Sequence, residues 1–362
     1  MPGPHQRAYL RMTCPQHGQC CRAEAVRCGG LRCGGFATVA PEALVAVGFL
    51  EVIELLFFVF GTGRCGSTPV IEVLARHRDV GFVSNVDDKF SYLNLSGRWN
   101  NTLFRRSAPR DPGLLPMAGR SRLFELGRLR ISPSEGWEVL ERQVSPMFSH
   151  TCRDLVAGDA TPWMAKRVQG FFERRMAAQH KPVFGHHLTG WPRAGLLRAV
   201  FPEARFIHVV RDGRAVANSW LHMPWWSGYK GPDNWYLGPL PPHYQRDWEA
   251  SGRSFVVLAG LAWKLLLDAF ADARAATPPG QWLEVRFEDI LTEPRKQFEA
   301  MLEFLNLDWT PAVEAGFTRY QFQQSRGDAF RRDLDPANLA LLERYIGDRL
   351  LAYGYDLSAR AD

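Results

Sequence analysis

Two long apolar runs are the clearest pattern in the sequence. The first, Leu55–Phe60, is uninterrupted, and the second, Ala204–Val210, is broken by only two polar residues. Apolar runs of this kind are typical of strands in parallel sheets that are covered on both faces. After the first run, apolar residues recur at helical spacing, with Val70, Val73 and Leu74 on one face. The pattern predicts an α/β fold with a mainly parallel sheet and helices on both faces.

A glycine-rich segment, Gly61–Thr68, separates the first predicted strand from the helix and reads Gly-Thr-Gly-Arg-Cys-Gly-Ser-Thr. The order strand, glycine-rich loop, helix presents backbone N–H groups to an anion at the start of the helix. Loops that bind nucleoside triphosphates carry Lys directly before the Ser or Thr, where this chain has Ser67, and here the positive charge is at Arg64 instead. The segment therefore predicts a phosphate site without triphosphate chemistry. A tight turn that binds nothing is the alternative.

A second polar segment follows the second apolar run. Asp212 is suited to cap the helix that begins there. Arg211, Ala215 and Ser219 are spaced i, i+4, i+8 along one helical face. An Arg fork followed by a hydroxyl two turns later is able to hold a second phosphate. A solvated helix start explains the same residues equally well, so this segment gains its meaning only together with the first loop.

The two segments together resemble the sulfotransferases that use 3′-phosphoadenosine 5′-phosphosulfate (PAPS). That family carries an early loop of the form G-x-x-R-x-G-[ST]-[ST] and a later segment of the form F-I-x-x-x-R-D-x-R-x-x-x-x-S, and this chain has both in that order. Val285–Asp289 looks like the late strand of the family, and Ala352–Tyr355 looks like its closing pattern. The resemblance covers residues 55–357 and implies a P-loop-type three-layer fold.

The resemblance also implies which residues bind the donor. Arg64 would stand at the cationic position of the loop and assist the transfer, and Arg211 and Ser219 would bind the 3′-phosphate. A late basic segment, Ser325–Gly327, would close over that phosphate through Arg326. The implied reaction moves a sulfuryl group from PAPS to an acceptor hydroxyl or amine, leaves 3′-phosphoadenosine 5′-phosphate (PAP), and requires no metal. The 5′-phosphosulfate would lie on Gly63, Arg64, Cys65, Gly66, Ser67 and Thr68.

The general base is the part of the family pattern that this chain does not match. Many members place Glu at the end of the strand after the first helix, where this chain has Asn85. Asp87 and Asp88 are close enough in sequence to replace it. Other members use a His at a strand end, and Pro182–His187 offers His187 for that role. We expect the base to be one of Asp87, Asp88 and His187.

Composition limits the classes of function. The chain has 362 residues, of which 46% are hydrophobic and 23% charged, with a net charge of +6 and a pI near 9.0. These values are typical of a folded globular protein and exclude a fully disordered or fibrous one. The positive excess suits an anionic ligand, but it is too weak and too scattered to predict a nucleic-acid partner.

The first forty residues differ from the rest of the chain. They are rich in Cys, Gly, Pro and Arg and show no helical or strand period. We therefore expect residues 1–50 to be a poorly ordered leader and residues 51–362 to form the sulfotransferase-like domain. A small zinc site built on Cys14, His17 and Cys20, with Cys21, Cys28 or Cys33 as a further ligand, is the other interpretation.

The apolar stretch 43–60 bears on the location of the protein. It carries Glu51 and Glu54, which are costly in lipid, so we expect no integral membrane span. It also lies too far from the first residue to act as a secretory signal. We expect a cytoplasmic protein, with membrane anchoring by this stretch as the alternative.

A concentration of aromatic residues suggests where an acceptor would bind. Trp and Tyr side chains crowd Ser219–Trp248, and Met223–Pro242 shows no helical period. Because long loops in compact domains are usually functional, we expect a lid and wall for a small-molecule acceptor, either a carbohydrate or a lipid. Local core beneath the loop is the other interpretation. A P-loop kinase-like enzyme acting on small molecules and a non-catalytic nucleotide-binding relic are the competing functions.

Overall fold

Five parallel strands form the central sheet of the protein. The computed structural model describes residues 55–107, 124–125, 128–320, 322 and 328–358. Its strands are β1 (Leu55–Gly61), β2 (Val80–Phe82), β3 (Phe124–Glu125), β4 (Arg128–Leu129), β5 (Val183–Thr189), β6 (Arg205–Val210) and β7 (Trp282–Arg286). The sheet order is β2-β5-β1-β6-β7, while β3 and β4 form a separate antiparallel pair. The predicted parallel sheet is confirmed, with β1 at its centre.

The longer helices begin at residues that cap them. The hydroxyl of Thr161 accepts from the Met164 N–H at one helix start, and that of Ser254 accepts from Val257 at another. Thr161 and Asp335 are each followed by Pro, which has no N–H to leave unpaired in the first turn. The described helices are α1 (Ser67–Leu74), α2 (Asn85–Lys89), α3 (Asn100–Arg106), α4 (Trp137–Gln143), α5 (Pro162–Gln179), α6 (Ala194–Val200), α7 (Gly213–Leu221), α8 (Pro242–Ala250), α9 (Phe255–Ala275), α10 (Phe287–Thr292), α11 (Pro294–Phe304), α12 (Pro311–Phe317), α13 (Phe330–Asp333) and α14 (Pro336–Ala352).

Helices cover both faces of the sheet. On one face Phe58, Phe60 and Phe206 stack on one another, with ring centroids 5.1 to 5.9 Å apart, and pack against α5, α6 and α9. On the other face Phe57 and Val59 pack against α1, α11 and α12. Successive side chains of β1 therefore enter two different cores, which is why its apolar run has no polar break. The predicted three-layer arrangement is confirmed.

Four strand ends bring the predicted phosphate segments to one edge of the sheet. β1 ends at Gly61 and β5 at Thr189, and these two residues are opposite each other in the register. Arg211 and Phe287 directly follow β6 and β7. Because the strands are all parallel, their carboxyl ends share one edge, where ligands of open α/β sheets bind.

The predicted leader, residues 1–50, lies outside the described residues, and so do Cys14, His17 and Cys20. The proposed domain boundary and the zinc alternative therefore stay predictions. Within the described part of the chain, no helix has both the length and the apolar composition needed to cross a bilayer. The cytoplasmic location also stays a prediction.

The sheet core leaves no room for an added methyl group at Gly185. A Cβ there would lie 2.4 Å from the Phe57 ring, and that ring is fully buried. We expect Gly185→Ala to lower the free energy of unfolding by about 1–3 kcal/mol through overpacking. Gly170, in the middle of α5, is the matched control, because a Cβ there meets nothing within 4 Å. Gly170→Ala should raise the free energy of unfolding by about 0.5–1 kcal/mol. Urea unfolding measures both, and equal effects would contradict the expectation.

Candidate active site

Positive backbone torsions shape the loop between β1 and α1. Gly63, Arg64 and Gly66 have φ values of 87°, 57° and 98°. Glycine adopts this left-handed region without steric cost, so the turn requires its glycines. Gly61 is required for a different reason, since a Cβ there would lie 2.1 Å from Cys65 Sγ and 2.9 Å from a backbone carbonyl of β6. The loop therefore folds back tightly over the end of β1.

The start of α1 is open to an anion. Its N-cap residue, Gly66, has no side chain to offer, and the first turn contains no acidic residue. The first N–H groups of a helix have no partner within it, and the helix dipole adds positive potential there. Arg64 and Thr68 are exposed beside this end, whereas Cys65 and Ser67 are buried. Of the predicted loop residues, Arg64 and Thr68 are the ones whose side chains are exposed to a ligand, and the others can offer backbone groups.

The two predicted anchors are in direct contact. Arg211 Nη1 donates a hydrogen bond of 2.8 Å to the backbone oxygen of Arg64. Arg64 Nε donates one of 2.9 Å to the hydroxyl of Ser219. Within residues 211–220, Arg211 and Ser219 are partly exposed and the other eight are buried. The first loop and the second segment therefore form one continuous site.

The late strand supports both anchors through Phe287. A Cβ on Gly66 would lie 2.2 Å from the ring of Phe287, so only glycine allows the loop to approach this closely. The Arg211 guanidinium carbon lies 5.0 Å from the centroid of the same ring. One aromatic side chain thus underlies the loop and the arginine together.

Glu288 forms a hydrogen bond to the backbone of the second anchor segment. Its carboxylate accepts hydrogen bonds from the Asp212 backbone N–H at 3.1 Å and from the Tyr355 hydroxyl at 2.9 Å. Burial raises the pKa of Glu288. Burial lowers the pKa of Arg211, and the charge of Glu288 opposes that shift. The late strand and the closing pattern therefore position Arg211.

Aromatic side chains flank the loop on its other side. Trp220 Nε1 is buried without a hydrogen-bond partner among the described residues, 3.6 Å from where a Cβ on Gly63 would be. The Trp220 ring contacts Trp225 and Trp226, with centroids 6.4 and 5.5 Å away. Trp226 belongs to the core, whereas Trp225 is 48% and Tyr229 66% exposed. The aromatic segment therefore serves partly as local core and partly as an exposed wall.

Two of the three predicted bases hold structural hydrogen bonds. The carboxylate of Asp87 accepts from the backbone N–H of Ser84 at 2.8 Å and from the Asn100 amide at 2.7 Å. That of Asp88 accepts from the Val139 backbone N–H at 3.1 Å, in the first turn of α4, and burial raises its pKa. These contacts tie α2 to α3 and α4.

His187, the third predicted base, lies within β5, two residues before the strand ends. It is buried, and its Nδ1 has no hydrogen-bond partner among the described residues. Burial lowers the pKa of His187, and the charge of Glu135 opposes that shift. The structure thus brings His187 close to the sheet edge, where burial disfavours its protonated form.

Glu135 is a residue of this edge that the sequence does not predict. Its Oε1 accepts a hydrogen bond from the Thr189 hydroxyl, and its Oε2 accepts one of 3.1 Å from the Trp137 indole N–H. Thr189 Cβ is 3.8 Å from where a Cβ on Gly63 would be, so this carboxylate stands next to the loop. No motif or spacing could have found it, because Glu135 sits in an irregular segment far along the chain from both anchors.

The predicted closing arginine, Arg326, lies outside the described residues, so its role stays a prediction. The next basic residues, Arg331 and Arg332, are exposed on α13. The Asn218 amide of α7 donates to Asp333 at 2.9 Å, which joins α13 to the second anchor helix.

The family model described as "Sulfotransferase family" matches residues 57–311 of the chain. That range contains the loop, the second anchor and the late strand. The chain belongs to the sulfotransferase family. Membership confirms the resemblance that the two phosphate segments suggest.

The proteins that are similar to this chain include mycobacterial sulfotransferases. Omega-hydroxy-beta-dihydromenaquinone-9 sulfotransferase Stf3 of Mycobacterium tuberculosis and of Mycobacterium bovis is 23% identical over 194 residues, which cover 52% of this chain and 44% of the relative. The match thus spans less than half the length of these relatives. Among solved structures, sulfotransferase STF9 from Mycobacterium avium is 15% identical with a TM-score of 0.48, over 85% of this chain and 79% of that one. The sulfotransferase domain from the curacin biosynthetic pathway is 14% identical with a TM-score of 0.46, over 85% and 100%.

A buried arginine holds the turn that follows Thr189. Arg193 donates to the backbone oxygens of Thr189 at 3.2 Å and Phe148 at 2.8 Å, and its guanidinium lies 5.1 Å from the Trp137 ring centroid. Its backbone N–H donates to Asp154 at 2.6 Å. Burial lowers the pKa of Arg193 to about 10 and raises the pKa of Asp154 to about 6. Asp154 therefore binds its proton more tightly in the folded protein.

This shift predicts a pH dependence of stability. Because the folded pKa of Asp154 is raised from 3.8 to about 6, its contribution is fully present below pH 3.8 and is lost as the pH rises through 6. We expect Asp154→Asn, which stays neutral, to remove a loss of about 3 kcal/mol between pH 4 and pH 7, at 1.36 kcal/mol per pKa unit. Urea unfolding at several pH values measures this. Parallel stability profiles for the variant and the parent would contradict it.

Proposed function

We propose that this protein transfers a sulfuryl group from PAPS to a hydroxyl group of a lipid-like acceptor. The observation that carries the proposal is the contact between the two anchors. Arg211 bonds to Arg64 and Arg64 to Ser219, although 147 and 155 residues separate the partners in sequence. A donor phosphorylated at its 3′ and 5′ positions is the ligand that such a paired site suits. Membership of the sulfotransferase family supports the same conclusion.

The residues present fit this donor. The open start of α1, with exposed Arg64 and Thr68 beside it, suits the 5′-phosphosulfate. Arg211 and Ser219 suit the 3′-phosphate, because a guanidinium fork and a hydroxyl both donate to phosphate oxygens. Trp220 Nε1 is a further buried donor beside the loop, without a partner among the described residues. A ligand oxygen would satisfy this group, whose isolation is otherwise unfavourable.

PAPS would supply an activated sulfuryl group, whose transfer leaves negative charge on the oxygen that linked sulfur to the 5′-phosphate. Arg64 and the loop N–H groups are fixed in place before the reaction, so they stabilise that charge without reorganisation. The acceptor hydroxyl must lose its proton to a base. The site therefore needs a basic group within reach of the acceptor as well as the two anchors.

The aromatic wall supports an apolar acceptor. Trp225 contacts Trp220, which itself borders the loop, and exposes 48% of its surface, while Tyr229, four residues further along the same segment, exposes 66%. Rings presented in this way suit an apolar chain that ends in a hydroxyl. The Stf3 relatives are named for an omega-hydroxy-dihydromenaquinone, an acceptor with a hydroxyl at the end of its chain. We therefore place a hydroxyl-bearing, lipid-like molecule on this wall.

Removal of either anchor should weaken binding of PAP. We expect Arg64→Ala and Arg211→Ala each to raise the Kd for PAP about 10- to 100-fold, because each removes a charge-assisted hydrogen bond to a phosphate. Arg246→Ala is the matched control, since Arg246 is an exposed arginine on α8, outside both anchor segments, and its variant should leave the Kd unchanged. Isothermal titration calorimetry with PAP measures all three. Unchanged binding in both anchor variants would contradict the proposed site.

A second titration separates the proposal from the kinase-like alternative. Ser67 stands where a triphosphate-binding loop needs Lys. We expect ATP with Mg²⁺ to bind at least ten times more weakly than PAP. Tighter binding of ATP with Mg²⁺ would favour the kinase-like function.

A further inference from the structure

We propose that Glu135 is the general base of the transfer, an inference that rests on the proposed function. The residue lies in the irregular segment before α4, outside every motif that the sequence offers. Its place beside the phosphate loop comes from tertiary contacts. Three observations support this role. They are the contacts of the carboxylate, the hydrogen bonds that hold its segment in place, and the burial of the other candidate bases.

Both oxygens of the carboxylate accept a hydrogen bond, and there is open space at Gly190, the neighbour of one of the two donors. Thr189 donates to Oε1 and Trp137 donates to Oε2 at 3.1 Å. A Cβ on Gly190, the residue after Thr189, would meet no atom within 4 Å. Since a carboxylate has about four lone-pair positions, two contacts leave it able to accept a proton. Glu135 is thus a fixed, half-buried acceptor at the sheet edge that carries the loop.

Two residues of the predicted base region pin the segment that carries Glu135. The Asn85 side chain accepts from the Ser132 backbone N–H at 3.0 Å, and the Asn85 backbone N–H donates to the Ser132 oxygen at 2.9 Å. Asp88 accepts from the Ser134 hydroxyl at 3.2 Å. Asn85 therefore has no carboxylate of its own, but its side-chain amide holds the segment that carries the carboxylate of Glu135. Asp88 acts on Glu135 as a positioning residue.

The other candidates are less available for proton transfer. Asp87 is 2% exposed, so its carboxylate is closed to an acceptor, and it holds the hydrogen bonds from Ser84 and Asn100 inside the fold. His187 is 3% exposed, and it lies two residues before Thr189 in β5, further inside the sheet. Asp88 and Glu135 are both partly exposed, but Asp88 positions the segment through Ser134 and α4 through Val139, which leaves Glu135. It is also the one with a contact to the residue beside Gly63.

The step that Glu135 serves is a proton transfer coupled to group transfer. The O–H bond of the acceptor breaks, and its proton passes to the Glu135 carboxylate. The electron pair of that bond forms the new bond from oxygen to sulfur. The bond between sulfur and the bridging oxygen breaks, and its electron pair stays on the 5′-phosphate of PAP. Because Glu135 is only half buried, water can then take the proton from it and restore the carboxylate.

The first test compares Glu135→Gln with Glu138→Gln. Glu138 is exposed three residues further along the chain, in the first turn of α4, so its variant is the matched control. The readouts are the rate of PAP release from PAPS, with farnesol and with water alone as acceptor, and the Kd for PAP by calorimetry. We expect E135Q to slow PAP release about 100- to 10,000-fold and to leave the Kd within twofold. We expect E138Q to match the parent in both.

Chemical rescue provides a readout that a structural role would not give. In Glu135→Ala, added formate can occupy the space of the lost carboxylate and accept the proton. We expect formate to raise the rate of PAP release by E135A at least tenfold and to leave the parent and E135Q unchanged. Failure of formate to raise the rate of a folded E135A protein that still binds PAP would overturn the role of Glu135 as base.

Failure of this inference is distinguishable from failure of the proposed function. If the parent protein releases PAP from PAPS and E135Q does so within threefold of the parent, the base lies elsewhere and the function stands. If E135Q loses PAP binding, the carboxylate acts on the donor site, which also overturns the inference. If the parent protein neither binds PAP nor cleaves PAPS, the proposed function itself is wrong.

Discussion

The hydrogen bond from Arg211 Nη1 to the backbone oxygen of Arg64 joins the two halves of the candidate site, together with the one from Arg64 Nε to Ser219. A guanidinium taken out of water is unfavourable unless its N–H groups and its charge are met. Here the Arg64 carbonyl meets one donor, the ring of Phe287 lies beneath the charge, and Glu288 stands behind it. The bond also fixes the loop conformation, since it holds the carbonyl of a residue with positive φ. The geometry of the phosphate site therefore depends on β6 and β7 as much as on the loop itself.

Two of the buried polar groups that lack a hydrogen-bond partner among the described residues lie at the same edge. Trp220 Nε1 and His187 Nδ1 are buried and have no hydrogen-bond partner in the described part of the chain. Each such group destabilises the folded protein, and native structures keep few of them. Their position beside Gly63 and at the end of β5 is where a bound donor and acceptor would lie. Proteins accept such a loss of stability at sites that are arranged for a ligand before it binds.

The sheet, the loop and both anchors could be predicted because each is encoded locally. The unbroken run of β1 reports burial on two faces, and Gly66 and Arg64 report a turn that opens onto a helix start. Glu135 could not be predicted, because its place depends on hydrogen bonds between an irregular segment and α2. In the sequence Asn85 indicates the loss of a base. In the structure its amide holds the segment that replaces it. The sequence also does not tell which tryptophans of the aromatic loop are buried and which are exposed, since neighbouring residues such as Trp225 and Trp226 differ only in their tertiary contacts.

The donor and acceptor sides of the site are built in different ways. The donor side is fixed by strand register, with Gly61 opposite Thr189 and Arg211 directly after β6. Moving any of these groups would disturb the hydrogen-bonded sheet. The acceptor side comes from the segment before α4 and from the loop after α7, which contact the sheet edge through a few polar and aromatic side chains. These segments can change without displacing the phosphate loop. Such a division allows one donor site to be combined with different acceptors, because the constraint of the sheet does not extend to Glu135 or Trp225.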